Sequence, residues 1–124
     1  MITPEQIAVA GTESAHQKAL FAFLALQSDP RLKLAFAIPN GGHRDKITAA
    51  RMKAEGAKAG VWDIFLPFPA GGFHGLFIEM KVGDNKLTSK QEEFEAALHN
   101  SYAFKVCYSW EAAAAAMQEY VRCK

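Results

Sequence analysis

The pattern of hydrophobic residues predicts an α/β domain in which a mixed β-sheet is flanked by helices. Segments with apolar residues at helical spacing alternate along the chain with short apolar runs that are typical of strands. Two successive strand segments are joined by a loop rich in proline and glycine, which indicates a hairpin. Alternating helices and strands, together with one hairpin, predict a sheet with both parallel and antiparallel neighbours.

In the N-terminal half, a helix is predicted over residues 13–27, because its apolar residues recur at helical spacing. Either Thr12 or Ser14 can cap its start. A strand is then predicted over residues 32–38, and the turn sequence Pro39-Asn40-Gly41-Gly42 closes it.

The C-terminal half contains the remaining strands of the sheet. A polar, basic helix over residues 46–55 precedes two short strands over residues 61–66 and 76–82. Thr88 and Gln91 match a capping box, which predicts the start of another helix. The last predicted elements are a strand over residues 103–108 and a helix over residues 110–121.

The composition is that of a soluble globular protein. With 124 residues, half of them hydrophobic and 22% charged, the chain suits one domain over residues 1–124. The N-terminus lacks the basic and apolar segments of a signal peptide, and no apolar stretch reaches the roughly 18 residues of a membrane span. Cys107 and Cys123 lack the spacing of a zinc site. We expect an intracellular, soluble protein with reduced thiols and no membrane partner.

The formal net charge of +1 gives the whole molecule no electrostatic preference for nucleic acid. A local basic run nevertheless occupies residues 44–58, where five basic residues stand against Asp45 and Glu55. Taken alone, such a run is more typical of a solvated helix face than of a nucleic-acid-binding surface.

A carboxylate interrupts each apolar strand of the predicted hairpin. Asp63 ends the segment Gly60-Val61-Trp62-Asp63, and Glu79 lies within Phe77-Ile78-Glu79-Met80-Lys81. A charge in a core strand needs a partner, an exposed face or a metal, because desolvating it is costly. Side chains directly opposed on antiparallel strands have Cβ atoms roughly 4.5–5.5 Å apart, close enough to share one cation.

These residue types suit metal-dependent phosphodiester hydrolysis. Mg²⁺ prefers oxygen ligands, commonly one or two carboxylates with water and phosphate, and the carbonyl of Met80 is a further candidate. Lys81 lies on the same strand face as Glu79, where its ammonium group can hold the attacking water or stabilise developing charge. The alternative is that Glu79 and Lys81 form an ordinary ion pair on a solvent face, with Asp63 as a strand-end residue.

The motifs span nearly the whole chain and resemble, in order and spacing, the PD-(D/E)XK nuclease superfamily and, within it, the virus-type replication-repair nuclease (VRR-NUC) domain. They are Glu13, Pro39-Asn40-Gly41-Gly42, Gly60-Val61-Trp62-Asp63, Phe77-Ile78-Glu79-Met80-Lys81 and Leu87-Thr88-Ser89-Lys90-Gln91. Trp62 departs from the proline of the superfamily name, at a position that the superfamily keeps only loosely.

The resemblance implies a restriction-endonuclease-like core with catalytic Mg²⁺ or Mn²⁺ bound by Asp63 and Glu79, and with Lys81 as the catalytic lysine. Glu13 would assist the metal site through water, and Gln91 would lie close to it. Both residues also have local explanations. A glutamate suits the first turn of a helix, and a glutamine suits the third position of a capping box.

Beside a nuclease site, the basic run becomes a candidate DNA-binding surface, because its helix precedes the strand that carries Asp63. The Asn40 turn is either a simple tight turn or a place where backbone amides approach a phosphate. His43 is either a general base or a surface histidine. The candidate nucleic-acid-binding residues are Asn40, His43, Arg44, Lys46, Arg51, Lys53 and Lys58.

The sequence therefore predicts a stand-alone, phage-type DNA endonuclease that uses metal-activated water. The resemblance suggests branched or four-way junction DNA, as in DNA repair, as the substrate. A C₂ homodimer is expected, since two active sites are needed to cut two strands symmetrically. The alternatives are a catalytically silent DNA-binding or accessory module of a phage replication or repair complex, and an RNA-directed nuclease.

Overall fold

The computed structural model describes residues 1–39 and 45–123. The helices are α1 (Pro4–Ile7), α2 (Glu13–Leu26), α3 (Lys46–Ala54), α4 (Ser89–Leu98) and α5 (Trp110–Arg122). The strands are β1 (Phe36–Ala37), β2 (Ile64–Leu66), β3 (Leu76–Met80) and β4 (Ala103–Cys107). Short 3₁₀ turns occupy Ala8–Ala10 and Leu32–Leu34.

The helices begin at side chains that cap them. The hydroxyl of Thr12 accepts a hydrogen bond from the Ala15 amide at 3.0 Å, so Thr12 rather than Ser14 caps α2. Thr88 and Gln91 form the predicted capping box at the start of α4. These contacts satisfy amide groups that the first turn of a helix leaves without a partner. The predicted bounds of α2, α3 and α5 are each correct to within one residue.

The four strands of the described residues form one mixed sheet in the order β1-β2-β3-β4. β2 is antiparallel to both β1 and β3, which confirms the predicted hairpin, and β4 is parallel to β3. α4 provides the crossover that two parallel strands require. β3 ends two residues before its predicted boundary and β4 one residue before.

One face of the sheet packs against α2 and α5. Ile64, Ile78 and Met80 of this face are fully buried, and Met117 of α5 and Leu20 of α2 are fully buried against them. The alternation of side chains along β2 and β3 sends every second residue into this core. It leaves the intervening residues for the opposite face of the sheet.

That opposite face carries a row of aromatic rings. Phe36, Phe65, Phe77 and Phe104 are paired in register across the strands, with neighbouring ring centroids 4.5–5.9 Å apart. Phe94 of α4 covers the row, with its ring centroid 5.2 Å from that of Phe77. Alternate residues of a strand share a face. Asp63 lies two positions before Phe65 and Glu79 two positions after Phe77, so both acidic residues lie beside this row.

The strand predictions for residues 32–38 and 61–66 were partly wrong. Leu32–Leu34 forms a 3₁₀ turn, because a short apolar run does not distinguish a strand from another buried segment. β2 begins only at Ile64. The indole Nε1 of Trp62 donates to the Gln91 carbonyl at 3.0 Å, which ties this segment to α4.

The cysteines are both free thiols, as predicted, with Cys107 buried and Cys123 exposed. Burial raises the pKa of the Cys107 thiol to about 11. Within the described ranges, no helix has the length and apolarity needed to cross a membrane.

Candidate active site

Asp63 and Glu79 lie side by side on the face opposite the main core. Ile64 pairs with Ile78 on antiparallel strands. Asp63 directly precedes Ile64 and Glu79 directly follows Ile78, so the pairing places the two acidic residues opposite each other. The Asp63 amide donates to Glu79 Oε1 at 3.1 Å, and the Met80 amide donates to Asp63 Oδ2 at 3.1 Å. These two bonds hold both carboxylates in place through the backbone of the hairpin.

Asp63 itself precedes the regular part of β2. The sequence pattern had instead predicted Asp63 inside the strand. Its carbonyl still accepts a hydrogen bond of 2.7 Å from the Ile38 amide beyond the end of β1. The Asp63 backbone is therefore anchored on one side by this bond and on the other by Glu79.

Lys81 and Glu79 are buried, with only 8% and 2% of their surfaces exposed. Lys81 Nζ lies 3.4 Å from Glu79 Oε2. This burial excludes the alternative of an ordinary ion pair on a solvent face. Breaking such a pair leaves an uncompensated charge in a medium of low dielectric constant, which is strongly destabilising.

Gln91 contacts Glu79 directly and also completes the capping box, while its catalytic part stays a prediction. Its Nε2 donates to Glu79 Oε2 at 2.7 Å, while its Oε1 accepts a hydrogen bond of 2.9 Å from the Thr88 amide. The capping box thus holds the amide group in the orientation that directs its donor to the carboxylate.

The electrostatics of the pair favour a bound cation. Burial, and then the neighbouring Asp63 charge, raise the pKa of Glu79 to about 7, although Lys81 opposes the shift. Burial also raises the pKa of Asp63. The hydrogen bond from Met80 offsets part of that shift, and the charge of Glu13 adds to it. Among residues 1–39 and 45–123, Lys81 is the one cation recorded as acting on Asp63 and Glu79, so negative charge exceeds positive charge around the pair.

The donor set fits Mg²⁺ or Mn²⁺. Asp63 and Glu79 are hard oxygen donors, and magnesium sites in proteins commonly use only one or two carboxylates. Across residues 1–39 and 45–123, no cluster of three or more histidine, cysteine, aspartate or glutamate side chains has the arrangement of a metal site. The Asp63–Glu79 pair stays the candidate site for a cation.

Met80 takes part in the site through its backbone. Its side chain is fully buried in the main core, on the other side of the sheet from the carboxylates. Its amide holds Asp63. The role of its carbonyl as a ligand stays a prediction.

Glu13 is half-buried in the first turn of α2. Its charge acts on Asp63, which places it close enough to influence the site. Its carboxylate also accepts a hydrogen bond from Asn85, a residue that the sequence analysis did not single out. No local pattern marks Asn85, because the bond joins residues that are far apart in sequence.

The candidate nucleic-acid-binding residues divide into two groups. Lys46, Arg51 and Lys53 lie on α3 and Lys58 follows it, and all four are exposed. α3 has no buried residue, and no ion pair to these four side chains is found in the described residues. Asn40, His43 and Arg44 lie outside the described residues.

The chain is similar to a solved structure described as a VRR_NUC domain protein. The TM-score is 0.73 and the sequence identity 26%, and the match covers 90% of this chain and 88% of that chain. No protein-family model and no curated protein matches the chain. The structural match confirms the resemblance drawn from the sequence motifs. The match supports a VRR-NUC domain, and the mixed sheet flanked by helices is an α/β fold of the restriction-endonuclease-like type.

Proposed function

We propose that the chain is a metal-dependent endonuclease that hydrolyses DNA phosphodiester bonds with Mg²⁺ or Mn²⁺. The observation that carries the proposal is the buried pair of Asp63 and Glu79 with Lys81 beside it. Two adjoining carboxylates with raised pKa values are costly to keep in a folded protein unless a cation compensates them.

Asp63 and Glu79 would hold the metal ion, with the carbonyl of Met80 as a further ligand. When bound, the ion supplies polarisation of the phosphate and a lowered pKa for water. Glu79 keeps its orientation through the hydrogen bonds from Asp63 and Gln91. Gln91 is thus a positioning residue for Glu79 in this proposal.

Lys81 supplies the positive charge of the protein itself at the site. Its ammonium group carries three donors, and Glu79 Oε2 lies within reach of Nζ at 3.4 Å. The remaining donors can orient the attacking water and stabilise the negative charge that develops on the phosphate oxygens. Glu13 would orient a water from the other side, since its charge already acts on Asp63.

The exposed basic side chains of α3 and Lys58 are the proposed contacts to the DNA backbone. Contacts of this type fix the position of a duplex without reading its sequence. A substrate defined by its branched structure rather than by sequence agrees with such contacts. We therefore propose branched or four-way junction DNA as the substrate and a C₂ homodimer as the active form.

Cleavage by purified Asp63→Ala and Glu79→Ala variants tests the proposal. Both variants are expected to lose Mg²⁺-dependent cleavage and Mn²⁺ binding by calorimetry, while circular dichroism shows that each is folded. Glu119→Ala is the matched control, because Glu119 is an exposed carboxylate on α5. Unchanged cleavage by the two site variants would overturn the assignment.

A panel of labelled linear DNA, junction DNA and RNA tests the substrate. We expect Mg²⁺-dependent cuts at the branch of the junction. Binding without cleavage would instead support a silent DNA-binding module, and preferential cleavage of RNA would support an RNA-directed nuclease. Light scattering tests the dimer; a monomer that cleaves junctions with full activity would overturn that part of the proposal.

A further inference from the structure

The loop that follows β3 reaches the start of α2. We call residues 82–88 the Asn85 loop; it begins directly after Lys81 and ends at the cap of α4. Asn85 Nδ2 donates to Glu13 Oε2 at 3.2 Å, although 72 positions separate the two residues. The loop therefore holds the carboxylate of Glu13 from the side of β3.

The backbone of Asn85 is itself anchored. Tyr108 Oη, just beyond the end of β4, donates to the Asn85 carbonyl at 3.0 Å, and the Asn85 amide donates to the Val82 carbonyl at 3.2 Å. Gly83 has a φ of 59° and allows the tight reversal between them. Two independent bonds thus fix the backbone from which the Asn85 side chain extends.

The first turns of α2 are also attached to this end of the sheet. His16 Nδ1 accepts a hydrogen bond of 3.1 Å from the Trp110 amide at the start of α5. This contact joins the start of α2 to the start of α5. Restricting a long side chain such as that of Glu13 costs rotamer entropy, which a preplaced donor helps to offset.

The chemistry of the donor is also informative. A lysine or arginine in the position of Asn85 would neutralise Glu13, whereas a neutral amide orients the carboxylate and leaves its negative charge intact. A carboxylate that is oriented but not neutralised suits a group that assists a cation or its water.

We propose that Asn85 is a positioning residue that orients Glu13 toward the Asp63–Glu79 site, with Tyr108 holding the Asn85 loop in place. The proposal rests on the function proposed above. It gives the Asn85 loop a role in the site in addition to the roles proposed for the carboxylates and Lys81.

A double-mutant cycle between Glu13 and Asn85 tests the proposal in the full chain, with Mn²⁺ affinity from calorimetry as the readout. Asn85→Ala is expected to weaken Mn²⁺ binding about 3–10-fold, the range set by loss of one hydrogen bond. In the Glu13→Ala background, Asn85→Ala is expected to have no further effect, because the two residues act as one unit.

Conservative variants separate this role from a merely structural one. Asn85→Leu keeps roughly the size of the side chain but removes the amide donor, so its loss of Mn²⁺ affinity should match that of Asn85→Ala. Tyr108→Phe removes only the hydroxyl and should give a smaller loss. Asn100→Ala, an exposed asparagine beyond the far end of α4, should bind Mn²⁺ like the wild type. All four should melt within a few degrees of the wild type, because the changes are exposed.

Independent, additive losses in the cycle, or wild-type Mn²⁺ affinity in Asn85→Ala, would overturn the positioning role while leaving the proposed nuclease intact. A wild-type chain that neither binds Mn²⁺ nor cleaves DNA would overturn the proposed function, and the role of Asn85 with it.

Discussion

The carboxylate site and helix α3 differ in the burial of their charged side chains. At the site, Glu79 and Lys81 are buried, and hydrogen bonds from the backbone and from Gln91 hold Glu79 in position. On α3, the basic side chains are exposed, and no residue of the helix is buried. The first region has its geometry set before any ligand arrives, whereas the second keeps its side chains in water.

This difference follows from the cost of desolvation. A buried charge is tolerated only when partners surround it, so the fold must specify its position closely. An exposed lysine attracts phosphate in a hydrated environment where salt screens the interaction, and many side-chain conformations allow the contact. The effects of substitutions in the two regions should therefore differ in size and in the property that changes.

Lys81→Met should have the largest effect among the variants that keep both carboxylates of the site. We expect cleavage to fall by about 10²–10³-fold, the loss typical of removing one group that stabilises transition-state charge. Mn²⁺ binding should persist or tighten, because the substitution removes a positive charge 3.4 Å from Glu79. Lys90→Met, an exposed lysine on α4, is the control. Wild-type turnover in Lys81→Met would contradict the catalytic role of this lysine.

Gly60→Ala should disturb the site through its support. Gly60 has a φ of 93°, and a Cβ there would lie 2.6 Å from the Lys90 carbonyl oxygen in the first turn of α4. We expect a loss of stability of roughly 2–5 kcal/mol, from backbone strain and the clash together. Cleavage should fall as well, because α4 carries Gln91.

Gly56→Ala is the matched control for that variant. Gly56 has a φ of 108°, but nothing lies within 4 Å of its added Cβ. It should show the cost of backbone strain alone, about 1–3 kcal/mol, with cleavage unchanged. Equal melting temperatures for the two variants would show that the close approach of Gly60 to α4 has no energetic importance.

The stability of the metal-free protein should depend on pH through Glu79. Its pKa is raised from 4.5 to about 7 in the folded chain, so the folded state binds the proton more tightly than the unfolded state. Stability should therefore be highest below about pH 4.5 with respect to this group, and fall as pH rises toward 7. Calorimetric melting should show a decline of several degrees across this window.

Glu79→Gln should abolish that decline, since the amide does not titrate. Added Mg²⁺ should stabilise the wild type more at pH 8 than at pH 5, because the ion competes with the proton for the carboxylates. A metal-free melting temperature that rises between pH 4.5 and 7, with Glu79→Gln showing the same rise, would contradict the assigned shift.

Single substitutions on the basic surface should have the smallest effects. Lys46→Ala, Arg51→Ala, Lys53→Ala and Lys58→Ala should each weaken DNA binding a few-fold, without changing the maximal rate of cleavage. The slope of log affinity against log salt should decrease by about one for each lost phosphate contact. Lys18→Ala on α2 serves as the control. If none of the four substitutions changes the slope of log affinity against log salt, the DNA binds to another surface of the protein.

Much of this architecture was predictable because it depends on local patterns. Glu79 and Lys81 lie two residues apart on a strand, so they had to share a face. The capping box at Thr88 predicted the start of α4 to the residue. The hairpin followed from two apolar runs around a proline and glycine loop.

Other features were beyond such patterns. The 3₁₀ turn at Leu32–Leu34 has the same apolar composition as the strand that we predicted there. The bond from Trp62 to the Gln91 carbonyl joins the segment before Ile64 to a helix that is distant in sequence. The bond from Asn85 to Glu13 depends on how a loop and a helix end meet in space.

The sequence by itself determined which residues are the candidates for chemistry in this protein. It determined the order of helices and strands, the carboxylate on each arm of the hairpin and the lysine beside one of them, because these follow from periodicity and capping. Only the tertiary structure decided that Glu79 and Lys81 are buried and that Gln91 serves both its helix and the site. Burial and long-range hydrogen bonds arise from segments distant in sequence, whose meeting no local pattern encodes.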